Sequence, residues 1–324
     1  MQYVFFDIEC ACVYKNVAKI CVFGYCVCDE QFNILKKEDI LINPNGKFHL
    51  TDRGGEGIVL PYNYAEFKKY PDFPHFYPKI KELLEGEDKL VFGHAAVNDV
   101  KYLCLETRRY KLPSFSFRFA DTQVMYMAMT NTFDRQAGLE ALTEIFEVEY
   151  TPHCAADDAY ATMKIAEAMC DKEGKTLPEL IEHCRLRLGK IGDYQFSGCS
   201  SQARAKYISD KAKAKREKGE RRAKFNDFVY GYRVKPQSRE FKGRRFSFSR
   251  SIEEDVPLAK RLVKAIVARG GRYSMKLSGC NVFIEEDGDT SVRRDAAHKL
   301  LGEGAIDEIY TLSDFKRVLW AEEE

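Results

Sequence analysis

Short apolar runs separated by polar turns dominate the first part of this chain. Three such runs predict antiparallel β-strands: residues 3–9, 19–28 and 34–43. Asp29-Glu30 supplies the turn between the second and third strands. Apolar positions then recur at helical spacing over residues 76–84, residues 89–92 return to the strand pattern, and the following part is mainly helical. This order predicts a mixed α/β domain whose acidic residues converge at strand ends.

Two carboxylates, Asp7 and Glu9, end the first of these strands. Successive side chains of a strand point to opposite faces, so these two share a face and aim at one point above the sheet. Two acids on one face of a buried strand repel each other and are costly to desolvate unless a cation lies between them. The alternative is an edge strand with a solvated acidic face, which is the commoner explanation for an isolated pair.

A third acid, Asp99, follows the predicted strand at residues 89–92 and a short turn. It falls in the first turn of a predicted helix, with Val100 and Leu103 on the apolar side of that helix. Taken alone, Asn98-Asp99 is equally explained as a helix-capping pair.

The fourth polar element is His153 followed five residues later by Asp158. Asp158 shares a helical face with Ile165 and Ala166, so the pattern predicts a helix that begins just after the histidine. Asp157 is the rival carboxylate, and by itself His153 also fits a surface loop.

In this order and spacing the four elements resemble the DEDDh family of 3′→5′ exonucleases, the DnaQ-like proofreading exonucleases with ribonuclease T and oligoribonuclease as relatives. The matching residues are Asp7 and Glu9 in the first motif, Gly93, His94, Asp99 and Leu103 in the second, and His153, Asp158 and Ala159 in the third. The resemblance covers residues 1–172 and includes the epsilon-type exonuclease domain of DNA polymerase III. It implies a ribonuclease H-like mixed sheet.

The resemblance also implies a site: Asp7, Glu9, Asp99 and Asp158 would hold two Mg²⁺ or Mn²⁺ ions, and His153 would take a proton from the attacking water. Two divalent cations about 4 Å apart can activate a water and stabilise the leaving oxygen. Oxygen-only ligands favour these hard ions over Zn²⁺. An imidazole with an unperturbed pKa of about 6.5 suits proton transfer near neutral pH.

Some positions depart from the family pattern. Cys10 and Ala11 stand where threonine-like residues usually contact the terminal nucleotide, and alanine follows His94 in place of the usual asparagine. We expect Cys10, Ala11 and His94 to lie at the nucleotide, so these departures bear on substrate preference. The five-residue spacing from the histidine, with Ala159 following, favours Asp158 over Asp157.

Residues 173–239 form a predicted helical linker with a basic segment. From Arg204 to Lys224 there are ten Lys/Arg against three acids, and no apolar face is consistent. One interpretation is a solvated linker. The other is an arm that binds nucleic-acid phosphates independently of sequence. The residues predicted to make these phosphate contacts are Lys211, Lys213, Lys215 and Arg216.

A second pattern of alternating strands and helices occupies residues 240–324. Its order, with Gly270-Gly271 after the first helix, resembles a BRCT domain and implies a small parallel α/β fold. Phosphopeptide-binding BRCT domains carry glycine after the serine or threonine of the first strand, whereas Arg250 follows Ser249 here. The pattern therefore favours a module that docks a protein partner or a DNA end without reading a phosphate.

The composition limits the number of domains and the classes of protein to which this chain can belong. At 324 residues and 45% hydrophobic the chain can form two modest domains, and its net charge of +1 is no global nucleic-acid signature. Eleven scattered cysteines fit a reducing compartment, and a zinc site from the pairs Cys10/Cys12 and Cys26/Cys28 is disfavoured because a hairpin would separate them. With no apolar run long enough to span a membrane and no leader pattern, we expect a soluble, cytoplasmic protein.

Three functions remain open on the sequence. The first is a metal-dependent 3′→5′ exonuclease acting on DNA ends, targeted by the BRCT-like domain to DNA repair or replication. The second is an exoribonuclease that trims RNA. The third is a non-catalytic binding platform, which the presence of all four acids and the histidine disfavours.

Overall fold

The computed structural model describes residues 1–49 and 59–320. They divide into two compact units, residues 1–208 and 209–324, with the last four residues of the second outside the described part. No helix in the described part of the chain is long and apolar enough to cross a membrane.

A seven-stranded mixed sheet forms the centre of the first unit. The strands of this unit are β1 (Gln2–Tyr14), β2 (Val17–Cys28), β3 (Ile34–Leu41), β4 (Lys89–Gly93), β5 (Phe117–Asp121), β6 (Leu186–Arg187), β7 (Gly189–Gly192), β8 (Gln195–Ser197) and β9 (Ser200–Ser201). The order in the large sheet is β3-β2-β1-β4-β5-β7-β8, and β6 pairs separately with β9. Strands β1, β4 and β5 are parallel and the other pairings are antiparallel. The three predicted antiparallel strands are confirmed, although β1 continues past its predicted end at Glu9.

Helices cover both faces of this sheet. The helices of the first unit are α1 (Phe73–Leu84), α2 (Val97–Arg109), α3 (Thr122–Thr130), α4 (Leu139–Ile145), α5 (Ala155–Glu173), α6 (Leu177–His183) and the first part of α7 (Gln202–Gly231). Because β1 alternates, Phe6 packs into one apolar core with α1 and α2, and its neighbour Phe5 packs into another with α5. Asp7 has the parity of Phe5 and therefore lies on the α5 face.

The first compact unit extends past residue 172, where the sequence predicts the end of the first domain. Strands β7 and β8 extend the large sheet beyond β5, and residues up to 208 belong to the first unit. The predicted boundaries of a linker at 173–239 stay a prediction. Only its later part, α7, is the long helix that the basic segment predicts, and the division between the two units falls inside it.

The second unit carries a small parallel sheet. Its elements are β10 (Arg245–Phe248), α8 (Arg250–Glu254), α9 (Val256–Ala268), β11 (Arg272–Tyr273), β12 (Val282–Glu285), α10 (Val292–Gly302), β13 (Glu308–Thr311) and α11 (Leu312–Trp320). The strand order is β11-β10-β12-β13, with all pairs parallel. Phe246, Leu262 and Phe315 contribute to its core. The predicted parallel α/β arrangement is confirmed for the described residues.

One glycine sets the distance between α5 and the large sheet. Gly24 in β2 pairs with Asp7 on one side and with Asp39 in β3 on the other. A Cβ atom at Gly24 would lie 2.0 Å from the Ala155 carbonyl carbon and 2.2 Å from the Ala156 nitrogen. The first turn of α5 therefore packs directly on the backbone of Gly24. A side chain at this position would prevent that contact.

Gly24→Ala should destabilise the protein by about 1–3 kcal/mol or more, because the clash is with backbone that cannot rotate away. Gly192→Ala is the matched control: it lies in β7 of the same sheet with nothing within 4 Å of its Cβ position, and should change stability by less than about 0.5 kcal/mol. Denaturant unfolding of both variants measures the difference. Equal stabilities would mean that α5 is not seated on Gly24.

Candidate active site

Strand β1 and helix α5 bring three carboxylates together. Ligand oxygens of Asp7, Glu9 and Asp158 all lie within 4.8 Å of one another. Asp7 and Glu9 share a face of β1 as the strand period requires, and Asp158 is in the first turn of α5 above them. The predicted convergence of these three acids is therefore present in the structure.

The two adjacent acids of α5 differ in their surroundings. Asp158 is buried against β1. Asp157 points away and forms an ion pair with Lys37. Although partial burial opposes it, the Lys37 partner holds the pKa of Asp157 below its usual value. Of the two, Asp158 is the acid that belongs to the cluster.

Asp99 approaches the same region from α2. It is buried in the first turn of that helix, and Ala96 rather than Asp99 is the N-cap residue, with no side-chain capping bond. The capping alternative is therefore not supported. Asp99 is outside the three-residue group, but its pKa is raised first by burial and next by the charge of Asp7, which places it within electrostatic reach of the cluster.

Asp121 stabilises the turn that precedes the helix carrying Asp99. Its carboxylate accepts hydrogen bonds from the backbone N–H groups of Ala95 at 3.2 Å and Ala96 at 3.0 Å. The same carboxylate caps α3. Gly93 makes the tight turn possible, since a Cβ there would lie 2.7 Å from that of Ala96.

Burial and mutual repulsion dominate the electrostatics of the cluster. Burial, followed by the charges of Asp7, Asp158 and Asp39, raises the pKa of Glu9 to about 9. The pKa values of Asp7 and Asp158 are also raised, mainly by burial. At neutral pH this arrangement favours bound protons or bound cations over bare carboxylates.

These properties fit a divalent cation. The donors are all carboxylate oxygens, which hard cations such as Mg²⁺ and Mn²⁺ prefer, and they already lie at converging positions. No cysteine belongs to this group, and all eleven cysteines of the chain are free thiols. Asp7, Glu9 and Asp158 could therefore hold a metal ion, and Asp99 as a fourth ligand stays a prediction.

His153 lies at the edge of the acidic cluster. Its Nδ1 atom is 3.8 Å from Oε1 of Glu9, and about half of the side chain is exposed. The residue has a left-handed backbone conformation, with φ of 62°, immediately before α5. An uncommon conformation of this kind holds the imidazole beside the carboxylates and open to solvent.

His94 does not lie where a nucleotide could use its ring nitrogens. Nε2 lies 2.9 Å from the Ala137 carbonyl oxygen and Nδ1 lies 2.9 Å from the Thr122 hydroxyl. Burial lowers the pKa of His94 to about 4, so the ring is neutral, with Nε2 donating and Nδ1 accepting. His94 thereby joins the second-motif turn to α3 and the loop at Ala137, and a nucleotide contact by the rest of its side chain stays a prediction.

A β-bulge changes the predicted roles of the residues after Glu9. The register of β1 on β2 shifts between Glu9 and Cys10 and again between Cys10 and Cys12. Ala11 is turned fully inward beside Ala155, which leaves no side-chain surface for a nucleotide. Its side chain has a packing role, and a nucleotide contact by its backbone stays a prediction. Cys10 is partly buried, and a nucleotide contact there stays a prediction.

The predicted phosphate-binding residues lie along α7. In this helix Phe225 is buried, a few residues near either end are partly buried, and residues 208–224 are all exposed. The side chains concerned are exposed: Lys211, Lys213, Lys215 and Arg216. Their contact with nucleic acid stays a prediction.

Two polar residues beside the site have no signal in the sequence pattern. Asp39 lies in β3, and its charge contributes to the raised pKa values of Asp7, Glu9 and Asp158. Tyr62 donates a hydrogen bond to Asp39 at 2.9 Å. The strand period places Asp39 on one of two faces, but only the pairing register shows that it faces α5.

An acidic cluster on a mixed α/β sheet, with a histidine beside it, is a candidate metal-binding site. The sequence profile of the exonuclease family (RNase_T) matches residues 4–166, half of the chain. The chain belongs to this exonuclease family and is a nuclease. No curated protein matches the chain.

Several solved structures are similar to this chain. One is a full-length 3′-exonuclease, at 16% identity and a TM-score of 0.47 over 62% of this chain and 91% of that one. Another is the zinc-bound E. coli exonuclease I complex with single-stranded DNA, at 18% identity and a TM-score of 0.46 over 56% of this chain and 42% of that one. A third is E. coli exonuclease I with a dA16 oligonucleotide, at 18% identity, a TM-score of 0.43 and the same coverage. This chain therefore spans less than half of the exonuclease I chains.

The metal-free protein should lose stability as pH rises from 6 to 9. Carboxyl groups with raised pKa values bind protons more tightly in the folded than in the unfolded state, so stability falls with pH between their usual pKa, near 4, and about 9. In a domain of this size, a loss of about 1 kcal/mol in the free energy of unfolding lowers the melting temperature by about 2–4 °C. We therefore expect the melting temperature to fall by about 5 °C or more between pH 6 and pH 9.

Mn²⁺ should raise the melting temperature, more at pH 9 than at pH 6, since the cation replaces the protons. Asp158→Asn should flatten the pH dependence. Asp157→Asn, which removes an equal charge from an outward-facing residue, should change it less, because the charge of Asp157 adds less to the raised pKa of Asp158 than burial and Asp7 do. Thermal melts in chelator and in Mn²⁺ measure how the melting temperature depends on pH without and with the cation. The same pH dependence in wild type and Asp158→Asn would contradict the assigned repulsion.

Proposed function

We propose that this chain is a metal-dependent 3′→5′ exonuclease that hydrolyses phosphodiester bonds at DNA ends. The observation that carries the proposal is the convergence of Asp7, Glu9 and Asp158 within 4.8 Å, with His153 at 3.8 Å from Glu9, in a member of the exonuclease family. Repelling, partly desolvated carboxylates are a cost to the fold that a cation-dependent reaction explains.

These residues would have two roles, which are metal binding and proton transfer. Asp7, Glu9, Asp99 and Asp158 would hold two Mg²⁺ or Mn²⁺ ions. When bound, the ions supply an activated water and stabilise the leaving oxygen. His153 is exposed and can accept a proton at a ring nitrogen while its Nδ1 side faces Glu9. Buried Asp121 and neutral His94 keep the turn before Asp99 fixed.

The choice of DNA over RNA depends on the second unit. Its parallel sheet, in the order β11-β10-β12-β13, supports the proposed BRCT-like docking module. A module of that kind suits an enzyme of DNA repair or replication, by analogy of fold. The second candidate is an exoribonuclease, which a contact to the ribose 2′-hydroxyl would favour.

Wild-type protein should release 5′-mononucleotides from 3′-labelled single-stranded DNA with Mg²⁺ or Mn²⁺, and none in chelator. Asp99→Asn should abolish release because a metal ligand is lost, and His153→Ala should lower kcat by about 10²-fold or more, the size of a general-base contribution. Product analysis on matched DNA and RNA measures rate and preference. Release from RNA alone would select the second candidate, and release from neither would overturn the nuclease assignment.

The basic surface of α7 is proposed to bind substrate phosphates. Replacing Lys211, Lys213, Lys215 and Arg216 by Gln should weaken binding of long single-stranded DNA. It should also reduce the salt slope by about 0.7 for each lost contact. The matched control replaces four exposed basic residues elsewhere: Lys68, Lys69, Lys299 and Arg317. Fluorescence anisotropy across a salt series measures how the affinity for DNA depends on salt. Equal salt slopes for both variants would mean that α7 acts as a linker and does not bind the substrate.

A further inference from the structure

Helix α5 begins without a capping side chain of its own. Cys154 is the N-cap residue and its side chain makes no capping bond to the helix. The first N–H groups of the helix are instead satisfied from elsewhere in the fold. The Ala155 N–H donates to the Tyr62 hydroxyl at 3.1 Å, and the Ala156 N–H donates to Oδ1 of Asp39 at 2.8 Å.

Three neighbouring groups donate hydrogen bonds to the Asp39 carboxylate. Its Oδ1 accepts from Ala156, and its Oδ2 accepts from the Tyr62 hydroxyl at 2.9 Å and from the Cys154 thiol at 3.4 Å. Asp39 is also absent from the group of converging ligand atoms. A carboxylate with three donors around it is satisfied without a metal, and these donors hold Asp39 at the start of α5.

The register of the sheet explains how Asp39 reaches α5. Asp7, Gly24 and Asp39 are neighbours across β1, β2 and β3, so their side chains lie on one face. Gly24 leaves the middle position bare, and the backbone of Ala155 and Ala156 fills it. The first turn of α5 therefore lies between a metal-ligand candidate on one side and a capping carboxylate on the other.

We propose that Asp39, with Tyr62, is a positioning residue of this site: it caps α5 from strand β3 and thereby holds Asp158 and His153 at the distances that metal binding and proton transfer require. This inference rests on the proposed function. A charged cap at a helix N-terminus is stronger than a neutral one because both the N–H bond and the helix dipole favour the anion. Its cost is repulsion of the nearby acids, which is consistent with the contribution of Asp39 to their raised pKa values.

Substitutions at Asp39 and Tyr62 separate geometry from charge. Asp39→Ala removes the cap and should lower kcat at least about tenfold at saturating metal and substrate, with little change in KM, because a small displacement of reacting groups is costly. Asp39→Asn keeps the shape and can still accept from Ala156. It should recover kcat to within a few-fold of wild type, while more metal is needed to reach it. Tyr62→Phe removes the hydroxyl that bonds Asp39 and Ala155, so it should lower kcat several-fold below wild type, although less than Asp39→Ala does, and an unchanged kcat would count against the inference.

Glu38→Gln is the matched control. It removes the same charge from the next residue of β3, whose side chain pairs with Lys36 and Lys79 away from α5. This variant should keep wild-type kcat, KM and metal dependence. Circular dichroism and thermal melts establish that each variant is folded, and Tyr62→Phe decides the question if Asp39→Ala does not fold.

Two measurements do not depend on nuclease activity. Mn²⁺ titration calorimetry should show weaker binding in Asp39→Ala and Asp39→Asn than in Glu38→Gln, and hydrogen exchange should be faster at Ala155 and Ala156 only where the cap is lost. If wild type has no nuclease activity, the proposed function fails while these two measurements still test the cap. Unchanged kcat and Mn²⁺ affinity in folded Asp39→Ala would overturn the inference. Equal loss of kcat in the Ala and Asn variants at saturating metal would also overturn it, because charge rather than position would then matter.

Discussion

The mutual repulsion of buried carboxylates is the constraint on which the rest of this structure depends. Asp7, Glu9 and Asp158 converge within 4.8 Å, and each is shifted towards its protonated form. A fold that brings such groups together must hold them by other interactions, since the acids themselves push apart. Those interactions are the β1–β2 pairing, the packing of α5 on Gly24 and the two apolar cores on either face of the sheet.

The scaffold meets this constraint with polar groups that are themselves satisfied. Asp121 binds the turn before Asp99 and caps α3, while the neutral ring of His94 uses both nitrogens on protein partners. Satisfied groups of this kind can be buried at little cost, and they hold the reactive ones in place. His153 differs because it remains half exposed, as a group that exchanges protons with solvent must be.

Sequence reasoning found the acids because their spacing carries physical information. The two-residue interval between Asp7 and Glu9 places both on one strand face, and the motif order predicted Asp99, His153 and Asp158. The sequence does not show which way Ala11 and His94 point, because a β-bulge and a set of hydrogen bonds between distant segments decide this. It also gives no sign of β7 and β8, since these strands are short and carry little pattern of their own.

By itself the sequence determined the strand periodicity, the mixed α/β class, the family motifs and the residue types able to hold a hard cation. Only the tertiary structure decided which parts of the chain meet. The pairing register placed Asp39 in line with Gly24 and Asp7, and that alignment let a carboxylate from β3 meet the first turn of α5. Periodicity acts locally and is readable along the chain. Register and packing join residues more than a hundred positions apart, and no local pattern records them.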